Sequence, residues 1–428
     1  MTPESVPSST WTFVAIDVAK QKNDVLMEYP DGTRQRWRMT NTHHHYRLLR
    51  DRLQALVAPP LIGFEATGNY HRPLAYFLGQ AGFELRLISS LAMARTRDAL
   101  YNSWDKNDPK DAQVLLHLLK GGVTQHYHDP LRHAVNDLRE LAQRHFQVSL
   151  RKTRVQHSIL THYLPLYFPE AERYYTQSRS QWFSRLLHRF PCPAAITRYS
   201  KAAFAQEAWT IVGRKVNKRG FLDDLYTTAQ DSIGLPVAED SEAIQTFRLT
   251  LQHHQELCAA RAALEERADQ KLTGDPDYHR LRTLPGVGPI LALTILAEAG
   301  DLRRFPHHRQ FLKFCGLDLS TQQSGQFRGH SQLSKHGHAR LRCALWLAAQ
   351  GAIRMRENTF RQKYDRYMKG DPLNADRKRK AISAVAAKMA RVAHGLMKTG
   401  TDYRPYFEAA VPSGALRSPL PSRHVVTS

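Results

Sequence analysis

Four carboxylates and one serine are the residues of this chain best suited to phosphoryl chemistry. Asp17 closes the apolar run Trp11–Asp17, Glu65 closes the run Leu61–Glu65, and Asp108 and Asp111 stand in Asp105-Lys-Asn-Asp-Pro-Lys-Asp-Ala112. A carboxylate directly after an apolar strand core is costly to desolvate unless a partner or a metal compensates it. With Pro109 in the first turn of a helix running through Leu119, Asp108 lies near the N-cap and Asp111 follows one turn later, so both can face one way. Hard oxygen donors converging from two strands and a helix start are what Mg2+ or Mn2+ ions require, because these ions take carboxylates yet keep water and phosphate oxygens. The two helix positions equally suit a simple N-cap and a first-turn charge favoured by the helix dipole.

The serine lies in the second half. Asp318-Leu-Ser-Thr-Gln-Gln-Ser-Gly325 leads into Arg328-Gly-His-Ser-Gln-Leu-Ser-Lys-His-Gly337. Ser324, in a polar, glycine-containing loop with Arg328, Lys335, Arg340 and Arg342 downstream, is placed to attack a phosphodiester. Such an attack needs cations or metal to lower the hydroxyl pKa and to neutralise the pentavalent phosphorus. A serine in a polar loop is commonly only solvated, so the spacing leaves both readings open. Upstream, Leu284-Pro-Gly-Val-Gly-Pro289 has the look of a helix-hairpin-helix turn, in which Gly286 and Gly288 would let backbone amides take a DNA phosphate. A tight turn before a packed helix at Ile290–Ala299 would use the same glycines.

The elements that must position these groups follow from periodicity. Trp11–Asp17, Asp24–Tyr29 and Arg34–Met39 read as three strands, the last two joined by a hairpin at Asp31-Gly32. A helix over Thr42–Leu56, a strand at Leu61–Glu65, a helix at Arg72–Ala81 and a strand at Phe83–Ile88 complete a mixed α/β domain expected over residues 1–130. Residues 131–275 read as a helical, coiled-coil-like region. Leu141, Val148 and Val155 recur by sevens, and Ile244, Phe247, Leu251, His254 and Cys258 alternate by threes and fours, predicting two long helices as an antiparallel hairpin or a dimerising coiled coil. Turns at Pro191-Cys-Pro193 and Gly234-Leu-Pro236 mark an inserted helical subdomain at about 165–236. A mainly helical region carrying the serine loop is expected at 276–403, and a loosely ordered tail rich in Pro and Ser at 404–428.

The charge balance selects partners. Lys and Arg number 61 against 39 Asp and Glu, a formal net charge of +22. That field favours polyanions, and nucleic acid over membrane, since no apolar stretch approaches the roughly 20 residues of a membrane span. The N-terminus lacks the pattern of a secretory signal, and Cys192, Cys258, Cys315 and Cys343 are too scattered for a disulfide framework or a zinc site; reduced core thiols in a cytoplasmic protein are expected. His43–His45 and His307-His308 lack companion ligands and read as solvated. The basic cluster Arg377–Lys380 suits either phosphate contact or a solvated helix start. Tyr163, Tyr167, Tyr174, Tyr175 and Trp182, interleaved with Arg173, Arg179 and Arg185, suit either base stacking or a core, and the core reading is preferred.

Ala15-Ile-Asp17-Val-Ala-Lys20, Phe64-Glu65-Ala-Thr-Gly-Asn-Tyr70 and Lys106-Asn-Asp108-Pro-Lys-Asp111-Ala112 resemble the DEDD motifs of the insertion-sequence one-ten family of transposases, relatives of the Piv-type DNA invertases. Pro285–Pro289, Gly316-Leu317, Ser324-Gly325 and Leu333–Gly337 are similar to the second, transposase domain of that family. The resemblance implies a RuvC-like, ribonuclease H-type α/β domain whose metal-binding quartet is Asp17, Glu65, Asp108 and Asp111. It also implies a nucleophilic serine in a Ser-Ser-Gly sequence; here the first of those positions is Gln323, which leaves Ser324, with Ser320 upstream as the fallback. It further implies a bridge RNA, a structured non-coding guide that pairs with donor and target DNA. Because the serine and the quartet fall in separate domains, a homodimer or tetramer held by the long helices is expected, in the prokaryotic cytoplasm at the nucleoid. The competing enzyme reading is a metal-dependent nuclease or Holliday-junction resolvase in which the quartet activates water. A nucleic-acid-binding protein without catalysis is the third.

Overall fold

The computed structural model describes residues 10–405 except 67, 102–107, 178–180, 322, 325–326, 330 and 357, with backbone only at 108–109, 176–177, 323–324 and 327–328. Contacts divide the chain into two compact units, Met1–Asn136 and Asp137–Ser428.

The first unit is built on a mixed six-stranded sheet. Its strands are β1 (Thr12–Asp17), β2 (Lys22–Glu28), β3 (Arg34–Thr40), β4 (Pro60–Glu65), β5 (Glu84–Ile88) and the short β6 (Gln125–His126), in the order β3-β2-β1-β4-β5-β6. β1, β4 and β5 run parallel, while β2, β3 and β6 are antiparallel to their neighbours. The β2–β3 hairpin turns where Asp31-Gly32 signalled it, with Gly32 at φ +85° and the Asp31 carboxylate accepting from Thr33 N–H at 2.8 Å. The helices are α1 (His43–Gln54), α2 (His71–Gln80), α3 (Ser90–Tyr101) and α4 (Asp108–Lys120). Strand alternation sorts the core into two layers. Val14, Ile16, Ile62 and Phe64 pack with Leu49, Leu53, Leu74 and Leu78 of α1 and α2, whereas Phe13, Ala15, Leu26 and Leu61 pack with Met93 of α3 and with Val114, Leu115, Leu118 and Leu119 of α4. Gly63 keeps this second layer tight, since a Cβ there would stand 2.9 Å from Leu119. The ribonuclease H-like α/β architecture expected of the N-terminal region is therefore present, with α3 and β6 as elements the periodicity did not reveal.

The second unit is mainly helical. α5 (Asn136–Ser158) passes through a π-turn at Ile159–Tyr163, and α12 (Glu242–Leu272) is the second helix of the expected long pair. Lys271 meets Asp137 at 2.9 Å and His145 meets Glu265 at 3.1 Å, so the two run antiparallel. Every member of the stripe Ile244, Phe247, Leu251, His254 and Cys258 is buried. Between the long helices lie α6 (Leu164–Tyr167), α7 (Glu172–Gln177), α8 (Gln181–Arg189), α9 (Pro193–Thr197), α10 (Lys201–Ala208) and α11 (Lys218–Gln230), which share a hydrophobic core of their own. Tyr167, Tyr175 and Trp182 are buried in it and Tyr163 stacks on Phe247 at 4.9 Å, so these rings fill a core and are not a stacking surface.

A separate core joins the start of α5 and the end of α12 to α13 (Pro276–Arg282), α14 (Pro289–Ala299), α15 (His308–Cys315), α16 (Ala339–Ala352), α17 (Thr359–Met368) and α18 (Ala375–Thr399). α18 starts before Arg377–Lys380, placing that cluster inside the helix. Cys192, Cys258 and Cys315 are buried, but Cys343 is exposed. On α16, Leu341, Ala344, Leu345 and Ala348 take the inward stripe, so position 343 falls on the outer face, contrary to the expected core thiol.

Candidate active site

Asp17 and Glu65 are brought together by strand register. Ile16 of β1 stands opposite Phe64 of the parallel β4, so the next residues, Asp17 and Glu65, end the two strands side by side, about 4.8 Å apart in the hydrogen-bonding direction. Both share the parity of Phe13, Ala15 and Leu61, which places them on the face that α4 covers. Lys120, at the end of α4, pairs with Glu28, which lies opposite Phe13 at the beginning of β1. α4 therefore runs back along β1, and its first turn, bearing Asp108 and Asp111, lies toward the strand ends where Asp17 and Glu65 stand. The backbone of Asp108 starts the helix; its side chain lies outside the described residues.

Asp111 is 4% exposed and is held by Arg97 of α3, whose Nε and Nη2 both reach Oδ1, at 2.7 and 2.6 Å. Arg97 is itself only 13% exposed. Sequence reasoning missed Arg97 because α3 has no clear amphipathic period, and only its proximity in space to Asp111 marks it.

A second missed residue is Asp24. β1 and β2 pair Asp17 with Asp24, and β2 and β3 pair Asp24 with Arg38. Arg38, Asp24, Asp17 and Glu65 thus form one row across four adjacent strands. Arg36 grips Asp24 with both arms, Nε to Oδ1 at 2.6 Å and Nη2 to Oδ2 at 2.7 Å, and Arg38 adds Nη2 to Oδ2 at 3.2 Å. Burial pushes the Asp24 carboxyl up, but the two guanidinium groups outweigh it and hold the pKa below the usual range. With its oxygens so engaged, Asp24 remains ionised without a metal.

The donor set of Asp17, Glu65 and Asp111 is hard oxygen throughout, which suits Mg2+ or Mn2+ and not a thiolate-seeking ion. Among the described residues no three acids, histidines or cysteines stand close enough to cage an ion by themselves. These residues fit a site of the kind that Mg2+ uses, with few protein ligands and the rest of the shell left to water and phosphate.

The serine region is a two-tiered ribbon between α15 and α16. β7 (Leu319–Ser320) pairs with β10 (Gln332–Leu333), and β8 (Gln323–Ser324) pairs with β9 (Phe327–Arg328). Ser320 is in the base tier, opposite Gln332, whereas Ser324 is at the tip opposite Phe327, up to about 17 Å of chain from Leu319. The side chains of Ser324 and Arg328 lie outside the described residues. The base is firmly built. Ser334 donates its hydroxyl to the Asp318 carboxylate and its N–H to Asp318 O at 2.9 Å. Gly316 ends α15 at φ +67° so closely packed that a Cβ at Gly337 would come within 2.4 Å of Gly316 N.

Two of the cations expected to meet nucleic acid are part of that base. Arg342 donates to Cys315 O at 3.2 Å and Lys335 O at 3.1 Å. Arg340 bonds Gln143 of α5 and stands 3.0 Å from Oε1 of the buried Glu298, too far off line for a hydrogen bond there, while His338 Nε2 lies 3.2 Å from Oε2. Burial raises the Glu298 carboxyl, yet His338 and then Arg340 and Arg139 hold it below its ordinary range. Lys335 sits at φ +54° beside the ribbon. Gly286, at φ +81°, presses on α16 so that a Cβ would meet Ala348 O at 2.2 Å, whereas Gly288 caps α14 with open space around it.

The comparisons with known proteins place this pair of units, a ribonuclease H-like sheet and a helical unit, among the DEDD-type transposases. Two family models match the chain: one described as a transposase, of the DEDD IS110 type, over residues 14–169, and one described as the transposase IS116/IS110/IS902 family over residues 278–365. With both modules in order, the chain belongs to the IS110 family of insertion-sequence transposases. A Pseudomonas aeruginosa protein named "Probable family 20 transposase" is 33% identical over 152 residues, 35% of this chain and 44% of that protein, a match that spans less than half the relative. A Streptomyces coelicolor protein assigned to the IS117 mini-circle as its transposase is 27% identical over 338 residues, 74% of this chain and 78% of that protein. The "Insertion element IS110 uncharacterized 43.6 kDa protein" of the same organism is 23% identical over 389 residues, 88% and 90% of the two chains. No helix among the described residues is long and apolar enough to cross a membrane.

Proposed function

We propose that this transposase is a serine-nucleophile DNA recombinase that excises and inserts its own element at the prokaryotic nucleoid, guided by a structured non-coding bridge RNA. The observation that carries the reading is the placement of Asp17 and Glu65 at the ends of adjacent parallel strands, on the face covered by α4. Asp17, Glu65, Asp108 and Asp111 would hold Mg2+ or Mn2+, which when bound supplies charge stabilisation at the attacked phosphate and eases ionisation of the serine. Ser324 Oγ forms a bond to phosphorus as the bond to a deoxyribose oxygen breaks, giving a phosphoserine link and a free sugar hydroxyl. Attack by another strand's hydroxyl reverses the exchange and returns the serine, so the number of phosphodiester bonds is unchanged and no external energy source is needed. Ser324 and the acids belong to different compact units, and a homodimer or tetramer assembled through the long helices is part of the proposal.

The surplus of cations, +22 overall, suits a protein that grips DNA and RNA backbones while base pairing reads sequence. Lys335 beside the serine ribbon, Arg328 in its strand β9, Arg340 and Arg342 in the first turn of α16, and Gly286 and Gly288 just ahead of α14 are the proposed phosphate-gripping positions. A suicide DNA substrate spanning the element's end tests the chemistry. Protein trapped covalently on DNA by the wild type and not by Ser324→Ala is expected; hydrolysis that survives the change would instead establish a metal nuclease. RNA that copurifies with the protein should map to the element, and recombination undiminished after RNA removal would eliminate the guide.

A further inference from the structure

Residues 354–398 carry 13 Lys and Arg against 4 Asp and Glu, nine of the chain's 22 surplus positive charges. α17 and α18 fold them into an antiparallel hairpin. Lys388 donates to Thr359 O at 3.0 Å where α17 begins, and Arg377 donates to Lys369 O at 2.8 Å just past its end. Lys363 and Arg366 follow Thr359 by one and two turns of α17, and Lys388 and Arg391 are one turn apart on α18, so four cations crowd one seam. Three acids of the hairpin are engaged elsewhere: Asp365 faces Arg361 at 3.6 Å, Asp376 pairs with Arg379, and Asp371 accepts from Asn374 at 2.9 Å. The Glu357 side chain lies outside the described residues, and one acid cannot balance four cations.

Lys363 is half-buried in this seam, and burial, then Arg391, Lys388 and Arg366, hold its ammonium below the usual lysine range. Among the described residues, neither Lys363 nor the exposed Arg391 has a hydrogen-bond or ion-pair partner. A cation half sunk among like charges is costly to the fold, so the missing counter-charge belongs to a ligand. We propose that the α17–α18 seam, through Lys363 and Arg391, binds the phosphodiester backbone of duplex DNA. His308, the first residue of α15, is held below its ordinary range by burial, by His307 and by Arg391, so the seam reaches the start of the helix whose other end leads into the serine ribbon. α15 is about 12 Å long, well within the roughly 34 Å of one duplex turn, so DNA presented to the ribbon can lie across the seam as well. The choice of DNA over RNA rests on the proposed chemistry of that ribbon; the phosphate site itself does not.

The test is fluorescence anisotropy of short labelled duplexes with the full-length protein and its retained RNA over a salt series, paired with chemical denaturation of the same preparations. Lys363→Met keeps the aliphatic stem and removes the charge. It should bind duplex about 10-fold more weakly, as expected for loss of a charged hydrogen bond. Lys363→Met/Arg391→Gln should flatten the slope of log affinity against log salt by about 2, close to one counterion for each lost phosphate contact. Backbone contacts carry no base information, so the loss should be equal on the element's end and on an unrelated duplex. Relief of the crowding should give Lys363→Met without DNA a higher denaturation midpoint than the wild type, and an unchanged midpoint would overturn the crowding on which the site rests. Variants with wild-type affinity and salt slope on duplex DNA would overturn the proposal, as would a loss confined to a single-stranded RNA titrated in the same way. Binding is read without strand exchange, so the result stands apart from whether Ser324 forms an adduct.

Discussion

The acid row and the serine ribbon solve opposite problems. The acids stand at the ends of central strands, with Asp111 pinned by Arg97 and Asp24 pinned by Arg36, so their positions are set by the same packing that makes the sheet. Ser324 stands at the tip of a ribbon whose base is locked by Asp318, Ser334 and Arg342 and whose tip is two short strands. A metal site needs ligands fixed to fractions of an ångström, whereas a nucleophile that becomes covalently attached to DNA must travel with its strand. On the proposed chemistry, the contrast teaches that rigidity goes to charge stabilisation and reach to the nucleophile.

The sharpest way to break the comparison is at its rigid end. Asp17→Asn should reduce covalent-complex formation by at least about 1000-fold, near 4 kcal/mol of transition-state stabilisation, in a variant that circular dichroism shows to be folded. A variant with most of its activity would show that the row is only structural. Next, Arg97→Ala should weaken Mn2+ binding by about 10- to 100-fold, measured by calorimetric titration, because a ligand loses the partner that orients it. Unchanged affinity would mean that Asp111 is placed without Arg97.

At the base of the ribbon, Glu298→Gln should cost about 2 kcal/mol in chemical denaturation, because it leaves His338 and Arg340 beside a buried neutral group. The sign of its pH dependence follows from the lowered pKa. The stabilisation is fully present above the ordinary carboxyl pKa of 4.5 and is lost as pH falls through the lower, folded value, so the variant should show a flatter acid limb than the wild type. The smallest effect belongs to Ser320→Ala. Its position in the exposed base tier predicts recombination within about twofold of wild type, a change of less than 0.5 kcal/mol. A severe loss there would move the nucleophile from the tip to the base.

How much of this was legible in the sequence depends on how locally each feature is encoded. Apolar runs ending in Asp17 and Glu65 announced strands and their terminal acids, and Asp31-Gly32 announced the hairpin, because alternation and turn chemistry are local signals. The two long helices followed from their stripes, but their antiparallel pairing did not, because direction shows only in contacts such as Lys271 with Asp137 and His145 with Glu265. Arg97 and Asp24 were invisible for the opposite reason: each matters only through a partner fixed by register or by helix crossing. The serine segment read as a loop because strands of two residues leave no period to detect, and its ribbon form depends on pairing at a distance. Arg340 and Arg342 read as phosphate ligands from a list of cations, and the sequence did not show that Arg340 also stands 3.0 Å from a buried glutamate or that Arg342 also donates to two backbone carbonyls. Cys343 shows the limit of composition, since a cysteine's preference for burial yields to the face of the helix on which it falls.

The central claim is that metal held at the acid row arms Ser324 as the nucleophile. Its most direct test is to trap the protein on a suicide DNA substrate with Mg2+, digest both components, and locate the attached nucleotide by mass spectrometry. The account predicts a deoxynucleotide phosphate on the peptide containing Ser324, formed with Mg2+ and absent in chelator. An adduct on any other residue, or cleaved DNA released without an adduct, would contradict it.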